Sequence, residues 1–299
     1  MKILITGKNG QLGRSIHKIV TSKIDNNQSS DEFIFVGRGE LDLSSKNNIH
    51  LYFEINKFDI IVNCAAFTSV DKAEEEKDLA NQINHLALKQ LAIIANKEQT
   101  KLIHISTDYV FDGESNKPYL ETDSPNPVNF YGKTKLAGEK VLQELMPANA
   151  IIIRTSSLYS EFDNNFVNTM LKLAKEKEEL SVVNDQISSP TYATDLAGAI
   201  LKIIDNKVFQ AEGQVTEIYH YSNQGKASWY ELTKEIFKLK GIHLPVKAII
   251  TEQYPTPAQR PKNTVMNKDK ITIGFNVKIH NWKSSLITCI SPVSYTHLR

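Results

Sequence analysis

The sequence predicts an α/β protein built on a doubly wound parallel sheet, with a smaller C-terminal lobe. Three observations carry that expectation. Five short runs rich in Ile and Val recur through the first half, each followed by helix-like periodicity. They are continuously apolar rather than alternating, the pattern of strands whose sheet is covered by helices on both faces. Beyond about residue 156 the regularity gives way to a mixture of helices and short strands.

In chain order the strands are "KILIT" (2–6), "FIFVG" (33–37), "DIIVNCAA" (59–66), "KLIHIST" (101–107) and "AIIIRT" (150–155). Helices are predicted over 11–22, 71–98 and 129–145; the longest opens with "VDKAEEEKD", whose acidic first turns suit the positive end of a helix dipole. In the second half, "NNFVNTMLKLAKEKEE" reads as a helix and "LSVVND" as a short strand. "TDLAGAILKIID" reads as a helix with Thr194 as N-cap, and "EIYHYSN" as a further strand. A helix-like run starting at Trp282 is interrupted by Pro292, and "SPVSYTHLR" shows no apolar period. The expected division is a dinucleotide-binding domain over 1–156 with 188–224 packing back onto it, a substrate-binding lobe from 157–187 and 225–290, and an irregular tail over 291–299.

Composition narrows the function. With 299 residues the chain can bury a full core, and 41% hydrophobic with 23% charged residues is ordinary for a soluble globular protein. A net charge of +1 offers no electrostatic case for nucleic acid or an anionic membrane, so small molecules or further copies of the chain are the expected partners. Cys64 and Cys289 are too few for a disulfide framework or a cysteine zinc site. No signal peptide precedes the first strand and no 18-residue apolar run occurs, so the expected location is the cytoplasm.

"ITGKNGQLGRSI" sets Gly7, Gly10 and Gly13 between the first strand and a helix start, with Gln11 and Leu12 inside the loop. A diphosphate must approach the backbone closely there, and the helix must turn its free N–H groups toward the anion. The spacing is G-x-x-G-x-x-G rather than G-x-G-x-x-G, so a structural turn is the competing reading; the order strand, turn, helix favours a Rossmann-type cofactor site. The end of the second strand should lie beside the adenosine ribose. There "VGRGELDL" offers Arg38, with Asp42 and Leu43 in the same segment. An arginine favours a 2′-phosphate and hence NADPH, with NADH as the alternative if Arg38 is merely solvated or stacked on adenine.

"NFYGKTKLAGEK" contains Gly132-Lys133-Thr134, the ending of a P-loop, but the second glycine such a loop needs is replaced by Pro127, which has no N–H to give. What remains is Tyr131 and Lys135, four residues apart and therefore on one helix face. A phenol with an ordinary pKa of about 10 can exchange protons near neutrality only if a neighbouring cation stabilises the phenolate, which is the part expected of Lys135. Ser106 and Thr107 end the fourth strand at the carboxyl edge of the sheet, where such folds place their active sites. His85, His104 and His220 have no close-spaced partners of ligand type and are assigned no chemistry.

Taken together, the glycine loop, "NCAAFTSVDKAEEE", "STDYVFDG" and "YGKTKLAGE" resemble the extended short-chain dehydrogenase/reductase superfamily and, within it, the dTDP-4-dehydrorhamnose reductases. The similarity continues through "VVNDQISSPTYATDLA" and "RPKNTVM", over roughly residues 1–285. The resemblance implies NADPH-dependent reduction of the 4-keto group of a dTDP-sugar, with Thr107, Tyr131 and Lys135 as the catalytic trio. Tyr131 would be the general acid, Thr107 a hydrogen-bond donor to the same oxygen, and Lys135 the partner of the nicotinamide ribose. It further implies that Asn63, Ala65, Ala66 and Thr68 form a small-residue turn under the cofactor, and that Asn84 serves structure or proton relay. On the substrate side it points to Thr107, Asp108, Asn165, Arg260 and Lys262. Some relatives bind magnesium through a glutamate at the place of Ser15, so no metal ligand is assigned, and a magnesium requirement stays open. Ser157 stands where the family carries a tryptophan near the sugar. A homodimer is the usual family assembly. The alternatives are a nucleotide-sensing regulatory subunit of the same fold, or another dTDP-ketosugar reductase or epimerase.

Overall fold

The computed structural model describes residues 1–26, 30–162 and 165–291. The strands β1 (Lys2–Thr6), β2 (Glu32–Val36), β3 (Ile60–Asn63), β4 (Lys101–Thr107) and β5 (Ala150–Thr155) join a later strand, Glu217–His220, in one six-stranded sheet. Its order is Glu217–His220, β5, β4, β3, β1, β2, and every pairing is parallel. The chain winds from β1 outward to β2, then returns to the opposite side of β1 to place β3. Loops leaving β1 and β3 therefore diverge, and a crevice opens at their carboxyl ends.

Alternate residues of each strand face opposite layers, which is why the runs are apolar throughout. Ile3, Ile5, Val62, Ile103 and Ile153 pack with the helices Gln11–Asp25 and Ala193–Ile204. Leu4, Ile61, Leu102 and Ile152 pack on the other face, with Ile49, Leu88, Leu91 and Leu142. A separate core built from Val167, Met170, Leu232, Ile236, Trp282 and Leu286 joins the helices Phe166–Glu176, Trp229–Lys240 and Trp282–Ile290. Beside it, Leu180–Val183 pairs in parallel with Val246–Ile249, outside the main sheet.

Several elements differ from expectation. The third strand ends at Asn63 instead of running to residue 66, because the chain turns there and Ala65 donates its N–H to the Thr6 hydroxyl at 3.2 Å. The single helix expected over 71–98 is broken into Lys72–Glu75, Lys77–Asn81, a π-turn Gln82–Leu86 and Ala87–Lys97. Glu76, at φ −99° and ψ 51°, interrupts it. The π-turn carries Asn84, whose amide bonds both backbone groups of Phe67 and the Thr134 hydroxyl. Thr194 is not an N-cap: the helix begins at Ala193, with Tyr192 in the capping position. Helices Lys46–Ile55 and Trp229–Lys240 had not been anticipated, although Ser45 caps the first, and Ser228 with Glu231 forms a full capping box on the second. Of the expected tail, residues 292–299 lie outside the described residues. Among the described residues no helix is long and apolar enough to cross a membrane.

Candidate active site

A cleft of about 750 Å³ opens along the carboxyl ends of β1, β3 and β4. Gly7 and Gly13 shape its floor. Gly7 sits at φ +72°, and a Cβ on it would come within 2.9 Å of the Ala65 nitrogen; one on Gly13 would lie 2.3 Å from the Gly7 carbonyl. Gly10 caps the helix Gln11–Asp25 with no side-chain acceptor, and the first turn holds no acidic residue. The opening N–H groups are therefore not covered by a side chain of the cap, and the cradle fits a dinucleotide diphosphate.

The surrounding residues extend this fit. Gln11, Leu12, Arg38, Asp42, Leu43, Ala65, Ala66 and Thr68 all line the cleft. Gln11 accepts the Ser160 hydroxyl at 2.9 Å, tying the loop after β5 to the glycine turn. Arg38 is 76% exposed at the cleft edge, with its Nε 3.5 Å from Asp42. Asp42 is held in place by the Ser44 backbone and hydroxyl, hydrogen bonds that also lower its pKa. Ser15 is fully buried and donates to the Gln11 carbonyl. Among the described residues no three His, Cys, Asp or Glu side chains gather into a metal-binding group.

Asn63 departs from expectation. It does not line the cleft but lies beneath it, its side-chain amide meeting the Thr6 hydroxyl at 2.7 Å and His104 Nδ1 at 3.1 Å. His104 in turn meets Lys135 Nζ at 3.1 Å through Nε2, and Lys135 donates to the Ile105 carbonyl at 2.7 Å. The histidine that carried no assignment thus touches a predicted catalytic residue.

The predicted trio converges on the cleft. Asn129 caps the helix Phe130–Leu145 by accepting from Gly132, which sets Tyr131 in the first turn and Lys135 one turn on. Ser106 also borders the cleft, but its hydroxyl is committed to the buried Glu139 at 2.5 Å. Thr107 is the strand-end hydroxyl beside Tyr131, and it also donates to Asp108 and accepts from the Tyr109 N–H, each at 3.2 Å. Burial pushes the Tyr131 phenol up to about 12; the Thr107 hydrogen bond opposes that rise and the Asp108 charge adds to it. The expected lowering by Lys135 is not what the geometry delivers, because the ammonium is turned to His104 and Ile105 while desolvation acts on the phenol. Burial also raises Asp108 to about 7, and Thr264 donates to its carboxylate at 2.5 Å.

The substrate-side residues divide. Asp108 and Asn165 line the cleft. Asn165, however, spends its amide on capping Phe166–Glu176 and on the Ser160 and Phe162 carbonyls. Arg260 and Lys262 are not in the cleft wall. Arg260 is engaged by both oxygens of Asp71 at 2.5 and 2.6 Å, and Lys262 contributes its carbonyl to the Ile187 N–H. Ser157, at φ 44°, lines the cleft with its hydroxyl 2.6 Å from that of Ser188. Trp229, to which the sequence reading gave no role, also lines it, fixed by a ring contact with Phe166 at 4.5 Å and by Gln186 at 3.2 Å.

Comparison with known proteins agrees with this architecture. The family model described as the RmlD substrate binding domain matches residues 1–295. The dTDP-4-dehydrorhamnose reductase of Aggregatibacter actinomycetemcomitans is 39% identical over 292 residues, which cover 95% of this chain and 97% of that protein. A crystal structure of a dTDP-4-dehydrorhamnose reductase from Clostridium acetobutylicum matches with a TM-score of 0.89 at 42% identity, covering 97% of this chain and 98% of that one. The Bacillus anthracis dTDP-4-dehydrorhamnose reductase in complex with NADP matches with a TM-score of 0.87 at 35% identity, covering 96% and 98%. With a glycine cradle, a Thr–Tyr–Lys cluster and similarity along nearly its whole length, the chain belongs to the dTDP-4-dehydrorhamnose reductase family.

Proposed function

We propose that the protein reduces the 4-keto group of dTDP-4-dehydro-L-rhamnose with NADPH, giving dTDP-L-rhamnose. The observation that carries this reading is the convergence of Thr107, Tyr131 and Lys135 on the same cleft as the glycine cradle. The Gly7–Gly13 turn and the helix N-terminus after Gly10 hold the diphosphate, and Arg38 receives the 2′-phosphate. When bound, reduced nicotinamide supplies the hydride for C4 of the sugar. Tyr131, its phenol pushed up to about 12, is protonated at neutral pH and donates its proton to the carbonyl oxygen as charge develops there. Thr107 gives that oxygen a second hydrogen bond, and Lys135 turns an N–H toward the cofactor ribose. Residues 1–156 with 188–224 hold the dinucleotide, and 157–187 with 225–290 hold the nucleotide sugar, except that Ile271, Phe275 and Val277 pack into the core of the main sheet; Trp229 supplies the apolar wall that Ser157 lacks.

Loss of NADPH absorbance on addition of dTDP-4-dehydrorhamnose tests the reading. Wild type should turn over, and Tyr131→Phe should lower kcat by about 10²–10⁴ while retaining NADPH binding. A wild type that consumes no NADPH with this or related dTDP-ketosugars would transfer the site to a nucleotide-sensing role.

A further inference from the structure

We propose that His104 is a positioning residue for Lys135: its neutral imidazole accepts one ammonium N–H, the Ile105 carbonyl takes another, and the third is thereby aimed into the cofactor cleft. The inference rests on the proposed reductase reading for the meaning of that direction. Its geometry stands independently. Lys135 Nζ lies 3.1 Å from His104 Nε2 and 2.7 Å from the Ile105 oxygen. Both side chains are 1% exposed, so no bulk water replaces either contact.

The proton positions follow from the inventory of donors. An ammonium only donates, so Nε2 must accept and Nδ1 must carry the hydrogen. Nδ1 faces the Asn63 amide at 3.1 Å, and an Nδ1–H there requires the amide oxygen. That places the Asn63 NH2 toward the Thr6 hydroxyl, 2.7 Å away, an assignment of the two amide atoms opposite to the one in which Asn63 donates to the ring. The opposite assignment, with Asn63 donating to Nδ1, puts the hydrogen on Nε2 and is compatible only with a neutral lysine amine. The line Thr6–Asn63–His104–Lys135 therefore has two hydrogen-bond patterns, which differ in the charge of Lys135 and in whether the Thr6 hydroxyl donates to Asn63 or accepts from it.

The surroundings make that charge sensitive. The ionisable groups that act on Lys135 are Glu139, one turn on along its own helix, and His104 on β4, and Glu139 is itself paired with Arg154 on β5. Burial lowers the Lys135 ammonium to about 8, and Glu139 is the charge that opposes this. His104 is itself held well below the ordinary imidazole value, by burial and then by the Lys135 charge, so its ring remains an uncharged acceptor.

The test is kcat against pH for wild type, His104→Gln, His104→Asn and His104→Leu, with NADPH and dTDP-4-dehydrorhamnose, alongside NADPH affinity against pH by fluorescence. Gln can present its oxygen near the place of Nε2, whereas the shorter Asn keeps polarity near Nδ1 but cannot reach Lys135. Wild type should lose kcat as pH rises through about 8. His104→Leu and His104→Asn should move that limb, and the matching fall in NADPH affinity, about one pH unit lower, and His104→Gln should restore both. If all variants keep the wild-type limb and differ only in amplitude or stability, His104 is a packing residue and the proposal is overturned. Should wild type prove inactive with the ketosugar, the affinity profiles still decide the role of His104, and the two failures are told apart.

Discussion

Arg154 on β5 and Glu139 on the helix bearing Tyr131 and Lys135 form a two-point ion pair whose side chains are 2% and 1% exposed. Nε lies 3.0 Å and Nη2 2.6 Å from the carboxylate, and Ser106 donates to the same group. Removing one partner strands a buried charge. Arg154→Met or Glu139→Leu should cost about 3–5 kcal/mol in denaturant unfolding, while the two changes together should recover most of the loss. Additive losses in the double variant would contradict this account.

Asp108 makes stability depend on pH in a direction opposite to the usual carboxylate. Its folded value is about 7, above the roughly 3.9 of an unfolded aspartate. Between those values the folded state holds the extra proton, so stability falls as pH rises from about 4 to 7 and is level above. Asp108→Asn should therefore gain on wild type across that window; unfolding free energies whose difference is flat with pH would refute it.

Arg38 should govern the choice of cofactor, because it is the exposed cation at the cleft edge beside the second strand. Arg38→Ala should raise the KM for NADPH about tenfold, the worth of one charge-assisted contact, and leave the KM for NADH nearly unchanged. Equal effects on both cofactors would place Arg38 against the adenine instead.

Trp229 offers a rigid apolar face to the cleft, where Ser157 offers almost none. Trp229→Ala should raise the KM for the nucleotide sugar about tenfold with little change in the KM for NADPH. Parallel rises in both would indicate general loosening of the lobe.

Much of this was legible from local pattern. The strands could be read because burial on two faces leaves them apolar throughout, and Tyr131 and Lys135 because four-residue spacing on a helix is a local property. The three glycines were readable for the same reason. What escaped depends on partners distant in sequence. Arg260 looked like a free cation in a loop, yet Asp71, 189 positions away, holds it in a fork. Asn63 looked like a cofactor contact because it ends a strand at the correct edge, but its side chain turns down to Thr6 and His104. Trp229 reaches the cleft only through the packing of the second core, and the break at Glu76 shows in its backbone angles rather than in composition.

The late arrival of strand Glu217–His220 has a consequence for biosynthesis. β5 is buried along its entire length in the finished protein, and one of its hydrogen-bonding edges is paired only by that strand. On the ribosome, the stretch between Thr155 and Glu217 takes roughly 3–12 s to make at about 5–20 residues per second. For that interval an Ile-rich sheet margin stands open to any extended neighbour, which makes the nascent chain, rather than the mature enzyme, the form most exposed to aggregation and chaperone capture.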